Sequence, residues 1–330
     1  MVTGIYGCPS NYDNIAVMEA YLVFNGAAGS TSEHDADFYS EALAQAGYSP
    51  VYQVTRTEDE VLEVLEKAKD LIVVVGGDGS LRAVATRMVG RGIPIALIPA
   101  GTANNVGMAL GLPLDPKSVV SGLGRPRKLK VDLGVVRAPW GESYFLEGAG
   151  FGLYAEALAR YKPEDGKSVF RGAKTLIELL AASPSSRTHL RINGREEEGE
   201  YLLVEAMNTP AVGPRMLIAP DADMSDGLFD LVKVEANSRD SYLGYLRGLI
   251  SGDLPELDSV NVERVQSFEF LWTGFPIHQD AVYQALEDHS DAAAVTLRSQ
   301  HGVWLQVECL PAALEFWLPE EPILEGAAAS

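Results

Sequence analysis

Cysteine is nearly missing from this chain: there are two in 330 residues, Cys8 and Cys309. Two thiols build no disulfide framework and offer no zinc spacing, which suits a reducing compartment. Positive charge is scarce as well, with 26 Lys and Arg against 46 Asp and Glu, for a formal net charge of −20. General nucleic-acid binding needs cations to neutralise phosphates, so no nucleic-acid partner is expected. Adsorption to anionic lipid is opposed for the same reason, except where cations cluster. One cluster exists, "RPRKLK" over 125–130, and it reads equally as a solvated linker or a lipid-headgroup contact.

Long apolar runs are absent too; Ala211–Ala219 is interrupted by Pro and Arg and falls far short of a membrane span. No charged segment followed by an apolar one opens the sequence, so the cytoplasm is the expected location. Common phosphate and hydrolase signatures are missing. No G-x-x-x-x-G-K-[ST] occurs, no G-x-G-x-x-G begins at Gly76, Gly77 or Gly79, and neither H-E-x-x-H nor a serine-hydrolase elbow is found. The five histidines are scattered.

What is present is a globular composition, 47% hydrophobic and 22% charged, at a length that suggests two domains. Strands are expected at 20–26, 49–55, 71–75 and 93–99, alternating with helices at 33–46, 57–69, 80–90 and 103–110. That alternation predicts a parallel, doubly wound α/β sheet. From about 131 the pattern changes to apolar alternation, with a hairpin turning at Asn193-Gly194. Further strands and helices at 169–182 and 239–251 complete a mostly antiparallel β-sandwich. The expected divisions are an irregular lead-in (1–20), an α/β nucleotide-binding domain (21–130), a β-rich substrate domain (131–319) and a tail (320–330).

Two strand–turn–helix units carry glycine, "LIVVVGGDGSLRAVA" (71–85) and "IPIALIPAGTANNVGMALGLP" (93–113). Glycine lets another molecule approach the backbone, and the unpaired amides at a helix start suit phosphate. Ligands bind outside the carboxyl ends of strands in such sheets, so the two turns are expected to converge. Thr102 stands where a helix N-cap would be. Asp78 is the odd member, because an anion beside phosphates calls for a metal, a sugar hydroxyl or a proton between them.

At these residues the chain resembles the diacylglycerol kinase catalytic family, which includes bacterial lipid kinases and the sphingosine and ceramide kinases. The similar motifs run in order from about Tyr21 to Pro319: "NGAAG" (25–29), "VT" (54–55), "GGDGS", "PAGTANN", "VDLG" (131–134), "GAGFG" (148–152) and "APDADMSDGLFD" (219–230). The resemblance implies an N-terminal nucleotide domain, a C-terminal β-sandwich and a cleft between them. It implies ATP at Thr55, at Gly76, Gly77, Asp78, Gly79 and Ser80, and at Gly101, Thr102 and Asn104. It implies structural Mg²⁺ held by the Asp223 carbonyl, the Asp226 carboxylate and the Leu228 carbonyl, all oxygen donors suited to a hard cation. Asp132 resembles an acidic residue the family needs. The implied partner is a lipid substrate at a membrane surface, met transiently; the sequence leaves a homodimer open.

Three departures stand out. Arg82-Ala83 replace the family's Asn-Glu, Asn105 replaces the acid of G-T-x-N-D, and the C-terminal Asp-Gly-Glu becomes Asp280-Ala281-Val282. Val282 cannot accept a proton, which leaves Asp78, Asp132 and Asp280 as the candidate catalytic carboxylates. The favoured reading is an ATP-dependent lipid kinase acting on an alcohol such as diacylglycerol. A catalytically degenerate nucleotide- or lipid-binding relative comes second, and an enzyme like NAD kinase, which shares GGDG, third.

Overall fold

The computed structural model describes residues 17–24, 33–53, 55, 57–113, 115–160, 185–236, 242–284 and 302–320. Strands β1 (Glu19–Phe24), β2 (Ser49–Tyr52), β3 (Leu71–Gly76) and β4 (Ile95–Pro99) form a parallel sheet in the order β2-β1-β3-β4. Helices α1 (Glu33–Gln45), α2 (Glu58–Lys67), α3 (Asp78–Ala85), α4 (Asn105–Ala109) and α5 (Pro116–Gly122) cover its two faces. Alternation along β3 shows how one strand feeds two cores. Ile72 and Val74 pack with Leu65, Leu81 and Val106, whereas Leu71, Val73 and Val75 pack with Leu43 and Val120 on the other side. A strand buried on both faces reads as an unbroken apolar run, as parallel strands do. Local chemistry sets the helix starts. Thr57 and Glu60 form a reciprocal capping box on α2, and Asp115 caps α5 just ahead of Pro116.

The second half is antiparallel. It contains β5 (Arg127–Ala138), β6 (Gly141–Phe145), β7 (Gly148–Gly152), β8 (Ser186–Ile192), β9 (Arg195–Met207), β10 (Ala211–Val212), β11 (Met216–Leu217) and β12 (Phe229–Glu235). After these come β13 (Val260–Val265), β14 (Ser267–Trp272), β15 (Ile277–Gln279), β16 (Val282–Gln284) and β17 (Val303–Leu318). Helices α6 (Leu153–Arg160) and α7 (Tyr242–Ser251) flank them. Phe145, Phe151, Phe229, Phe268, Phe270 and Trp272 fill the inner core. The β8–β9 turn is the expected Asn-Gly: Asn193 and Gly194 have φ of 50° and 78°, as the tight twisted turn of a hairpin requires.

Two strands bind the halves together. β17 pairs with β14 and β5 in the sandwich, shifts register between Leu310 and Leu314, and continues to Phe316, which sits beside Ile95 of β4. The parallel sheet is thereby extended by β17 and then β5. The boundary expected at 130/131 therefore falls inside β5, a single strand, and the second half of "RPRKLK" is its edge-exposed beginning. The helix expected at 80–90 starts two residues earlier and ends at Ala85; beyond it Gly90 and Gly92 take φ of 73° and 68°, which a helix cannot hold. "NGAAG", the helix expected at 169–182 and nearly all of the lead-in lie outside the described residues.

Candidate active site

Because β3 and β4 are neighbours and parallel, both glycine turns leave the sheet at the same edge. They meet backbone to backbone: a Cβ on Gly77 would stand 2.9 Å from Gly101 Cα, and one on Gly101 would stand 2.4 Å from Gly77 Cα. These two glycines are packing requirements. Gly76 is another, since a Cβ there would meet Ser80 at 2.7 Å. Gly79 is different, for a Cβ there would meet nothing within 4 Å and its φ is not in the positive range. Gly77 is the N-cap of α3, so the amides of Asp78, Gly79 and Ser80 form its open first turn. In this turn Gly79 is the glycine whose Cβ position is open among the described residues, and it lies where an anion can be received.

Asp78 reaches across to the second unit, its Oδ1 accepting from the Val106 amide at 3.1 Å. Asn104 closes its own turn: its side chain accepts from Gly101 N and donates to Gly101 O, both at 2.9 Å, with φ of 54°. Asn104, not Thr102, is the N-cap of α4. Thr102 is exposed on the turn. The buried Thr55 donates its hydroxyl to Phe24 O at 2.8 Å, at the end of β1.

The sandwich meets this edge with a buried polar network. Asp280, at φ 53°, accepts backbone amides from Leu146, Glu147 and Gly148 at 3.1, 2.7 and 3.2 Å. Arg82 of α3 reaches it across the cleft, Nε to Oδ2 at 3.1 Å. Burial raises the Asp280 pKa; the three amides and Arg82 oppose that. Glu147 lies on the same wall, and its Oε2 accepts from Asn105 Nδ2 of α4 at 2.7 Å. Burial pushes the Glu147 carboxyl well above its usual range, and the negative charges of Asp78 and Asp280 push it further. Behind them His278 touches Asp280 O through Nδ1 at 2.9 Å and Glu205 through Nε2 at 2.7 Å. Both contacts are acceptors when Glu205 is ionised, so the imidazole donates through both nitrogens. Burial would depress His278, but Glu205 outweighs it and the pKa rises. A third crossing is made by Arg215, which donates to Ala103 O at 3.1 Å.

Asp132 belongs elsewhere. Its carboxylate accepts from Gly227 N and Ala312 N, each at 2.7 Å, while its amide donates to Met224 O. It staples the 223–228 loop to the bend of β17. Asp132→Ala would cost the half-buried Gly227 amide and the amide of exposed Ala312 their acceptor, so chemical denaturation is expected to show a loss of about 1–3 kcal/mol, from about 0.5–1.5 per hydrogen bond. A loss under half of that would place the loop's stability in other contacts.

In that loop Asp223 Oδ1 accepts from Ser225 N at 2.9 Å, and Asp226 Oδ1 accepts from Leu228 N at 3.0 Å. Arg264 pairs with the other Asp226 oxygen. The donor chemistry suits a hard cation, but a guanidinium already neutralises the single carboxylate, and no cluster of three His, Cys, Asp or Glu occurs among the described residues. The loop in this form does not fit a cation, and no chemical step below runs through one there.

The structure thus brings Asp78, Gly77, Gly79, Ser80, Gly101 and Asn104 together, sets Asp280 on the opposite wall, and places Asp132 in a separate staple. Sequence reasoning missed Glu147, Arg82, Glu205 and His278. The vacant acid positions at Asn105 and Val282 were the signal that a replacement carboxylate should be sought.

Residues 19–136 match the model of the diacylglycerol kinase catalytic domain, and 156–316 match the YegS C-terminal NAD kinase beta sandwich-like domain. A protein of Mycobacterium tuberculosis named "Diacylglycerol kinase" is 30% identical over 72% of this chain and 79% of its own. The chain belongs to the diacylglycerol kinase family of lipid kinases. A Pseudomonas putida relative named "Probable lipid kinase YegS-like" is 33% identical over 66% of this chain and 74% of its own. The fold of this lipid kinase is also that of a solved Bacillus anthracis protein described as a diacylglycerol kinase, with a TM-score of 0.66 at 18% identity over 93% of this chain and 98% of that one. Among the described residues of this family member, no helix is long and apolar enough to cross a membrane.

Proposed function

We propose that the protein transfers the γ-phosphate of ATP to the hydroxyl of a membrane lipid, with diacylglycerol the leading candidate. The observation that carries the reading is Gly79: it lies in the open first turn of α3, beside Asp78, with no packing partner among the described residues to explain it. Phosphoryl transfer depends mainly on positioning and charge stabilisation. The amides of Gly79 and Ser80 hold phosphate oxygens, exposed Thr102 lies on the adjoining turn, and Asp78 draws in the divalent cation that kinases usually carry with the nucleotide. Asp280, held by three backbone amides and ion-paired with Arg82, keeps the facing wall in place. A cation at Asp223, Asp226 and Leu228 would first require Arg264 to release Asp226.

An apolar cavity of about 30 Å³, lined by Leu153, Tyr154, Leu203, Met216, Tyr245 and Leu249 among others, lies behind the site. Tyr154 links the two, its ring edge-on to His278 at 4.6 Å. The space holds about one water, so a lipid tail entering there must displace α7. Labelled ATP offered with a panel of lipids, and separately with NAD, tests the reading. Label in diacylglycerol or a related lipid alcohol is expected; label in NAD alone would overturn it.

Membrane contact is proposed at the start of β5. Lys130 is paired with Glu315 at 2.9 Å and Lys128 lies over Trp317, while Arg125, Arg127 and Lys128 are exposed. Each cation near an anionic surface contributes about 1 kcal/mol. Replacing these three by Gln is expected to reduce co-sedimentation with anionic vesicles by about 100-fold at low salt, screened as salt rises. Unchanged co-sedimentation would assign the stretch to the sheet edge alone.

A further inference from the structure

We infer that Glu147 is a catalytic residue of this enzyme, the carboxylate that takes the proton from the lipid hydroxyl in place of the acids missing at Asn105 and Val282. The inference rests on the kinase reading above. Val282 stands partly exposed on β16, and its side chain has no proton-accepting atom. Asn105 likewise lacks an acid, yet its amide points a hydrogen bond at one: Glu147 Oε2, 2.7 Å away. A carboxylate is thus restored to this spot from the opposite wall of the cleft, by a residue 42 positions along the chain.

The surroundings set Glu147 apart from an ordinary buried acid. Its backbone is fixed on both sides: the amide donates to Asp280 at 2.7 Å, and the carbonyl accepts the amides of Asn208 and Thr209 at 2.8 and 3.2 Å. Its side chain is tied to the facing wall through Oε2, which accepts from Asn105 Nδ2. Beside it Asn105 Oδ1 is buried without a hydrogen-bond partner among the described residues, and such an atom calls for an occupant. Asp280, by contrast, accepts three backbone amides and faces the Arg82 guanidinium as an ion pair, which makes it the support rather than the acceptor.

In the transfer step the lipid O–H bond breaks and its proton goes to the Glu147 carboxylate. The lipid oxygen forms a bond to the γ-phosphorus, the bond from that phosphorus to the β,γ-bridging oxygen breaks, and ADP leaves with the electron pair. A base works when deprotonated. The rate should therefore rise with pH through the Glu147 pKa, which burial and the charges of Asp78 and Asp280 displace upward.

The test compares the parent, Glu147→Gln, and the exchange Asn105→Asp with Glu147→Gln, using diacylglycerol vesicles and Mg-ATP from about pH 5 to about pH 9, around the range where a tuned carboxyl titrates. Glu147→Gln keeps an acceptor for Asn105, so nucleotide affinity by calorimetry and the folding midpoint should stay at parental values. Its kcat should fall about 10²–10⁴-fold and lose the acid limb of the pH profile. The exchange, which keeps one carboxylate and one amide at the same hydrogen bond, should recover about tenfold or more of that loss. Should Glu147→Gln fold poorly, the exchange alone decides: substantial activity supports the assignment, and none overturns it. An active parent whose kcat and pH limb survive Glu147→Gln overturns this inference and leaves the kinase reading standing. A folded parent silent with every lipid overturns both.

Discussion

Asp78→Asn is expected to lower lipid phosphorylation by about 10²-fold or more, the scale on which misplaced reacting groups act, with the folding midpoint unchanged. Asparagine retains an oxygen at the position where Asp78 accepts the Val106 amide, so the tie between α3 and α4 survives. What is lost is the negative charge at the mouth of the phosphate turn, and with it the attraction for the cation that accompanies the nucleotide. Steady-state rates with saturating ATP, beside thermal melts of parent and variant, make the comparison. A variant that keeps the parental rate would remove Asp78 from the chemistry and leave it as a tie between the two turns.

The second large effect is a contrast between glycines of one turn. Gly79→Val is expected to weaken nucleotide binding by at least about 100-fold, about 2.8 kcal/mol at 1.4 per decade, with no loss of stability. Its Cβ would meet no described atom within 4 Å, and valine is a better helix residue than glycine, but the side chain projects where phosphate must approach the backbone. Gly77→Val should behave in the opposite sense. Its Cβ would collide with Gly101 Cα at 2.9 Å, pushing the turns apart and lowering the melting temperature before any question of ligand arises. Equal nucleotide affinity in a folded Gly79→Val variant would sever the glycine turn from the nucleotide.

Much of the α/β half was legible because its signals are local. The run Leu71–Gly76 can only be a strand buried on both faces, and glycines at its end announce a turn whatever the rest of the chain does. Helix ends were harder. Thr102 is a good capping residue in isolation, but the helix starts only at Asn105, after a turn that the Asn104 side chain closes on the amide and carbonyl of Gly101. The division expected at "RPRKLK" falls within one strand for a similar reason. Exposed basic residues imitate a linker, yet they are the open edge of β5, whose pairing partner lies nearly two hundred residues away in β17. The site was half visible. Motifs pointed to the paired glycine turns, whereas the facing wall is assembled from contacts such as Arg82–Asp280 and His278–Glu205, and neither member of such a pair carries a pattern that names the other.

The passage of β17 from the sandwich to the edge of β4 bears on how the molecule is made. A ribosome finishes β4 more than two hundred residues before it reaches Phe316, about ten to forty seconds at about 5–20 residues per second. Through that interval the nascent α/β half has a full complement of helices but an open strand edge at Ile95–Pro99, the kind of edge that invites pairing with a neighbour. Phe316 and Trp317, packed in the cores on opposite faces of the parallel sheet, arrive last. Pulse-labelled chains stalled before residue 314 should therefore be far more open to protease in the first domain than chains stalled after residue 318 with the exit tunnel cleared.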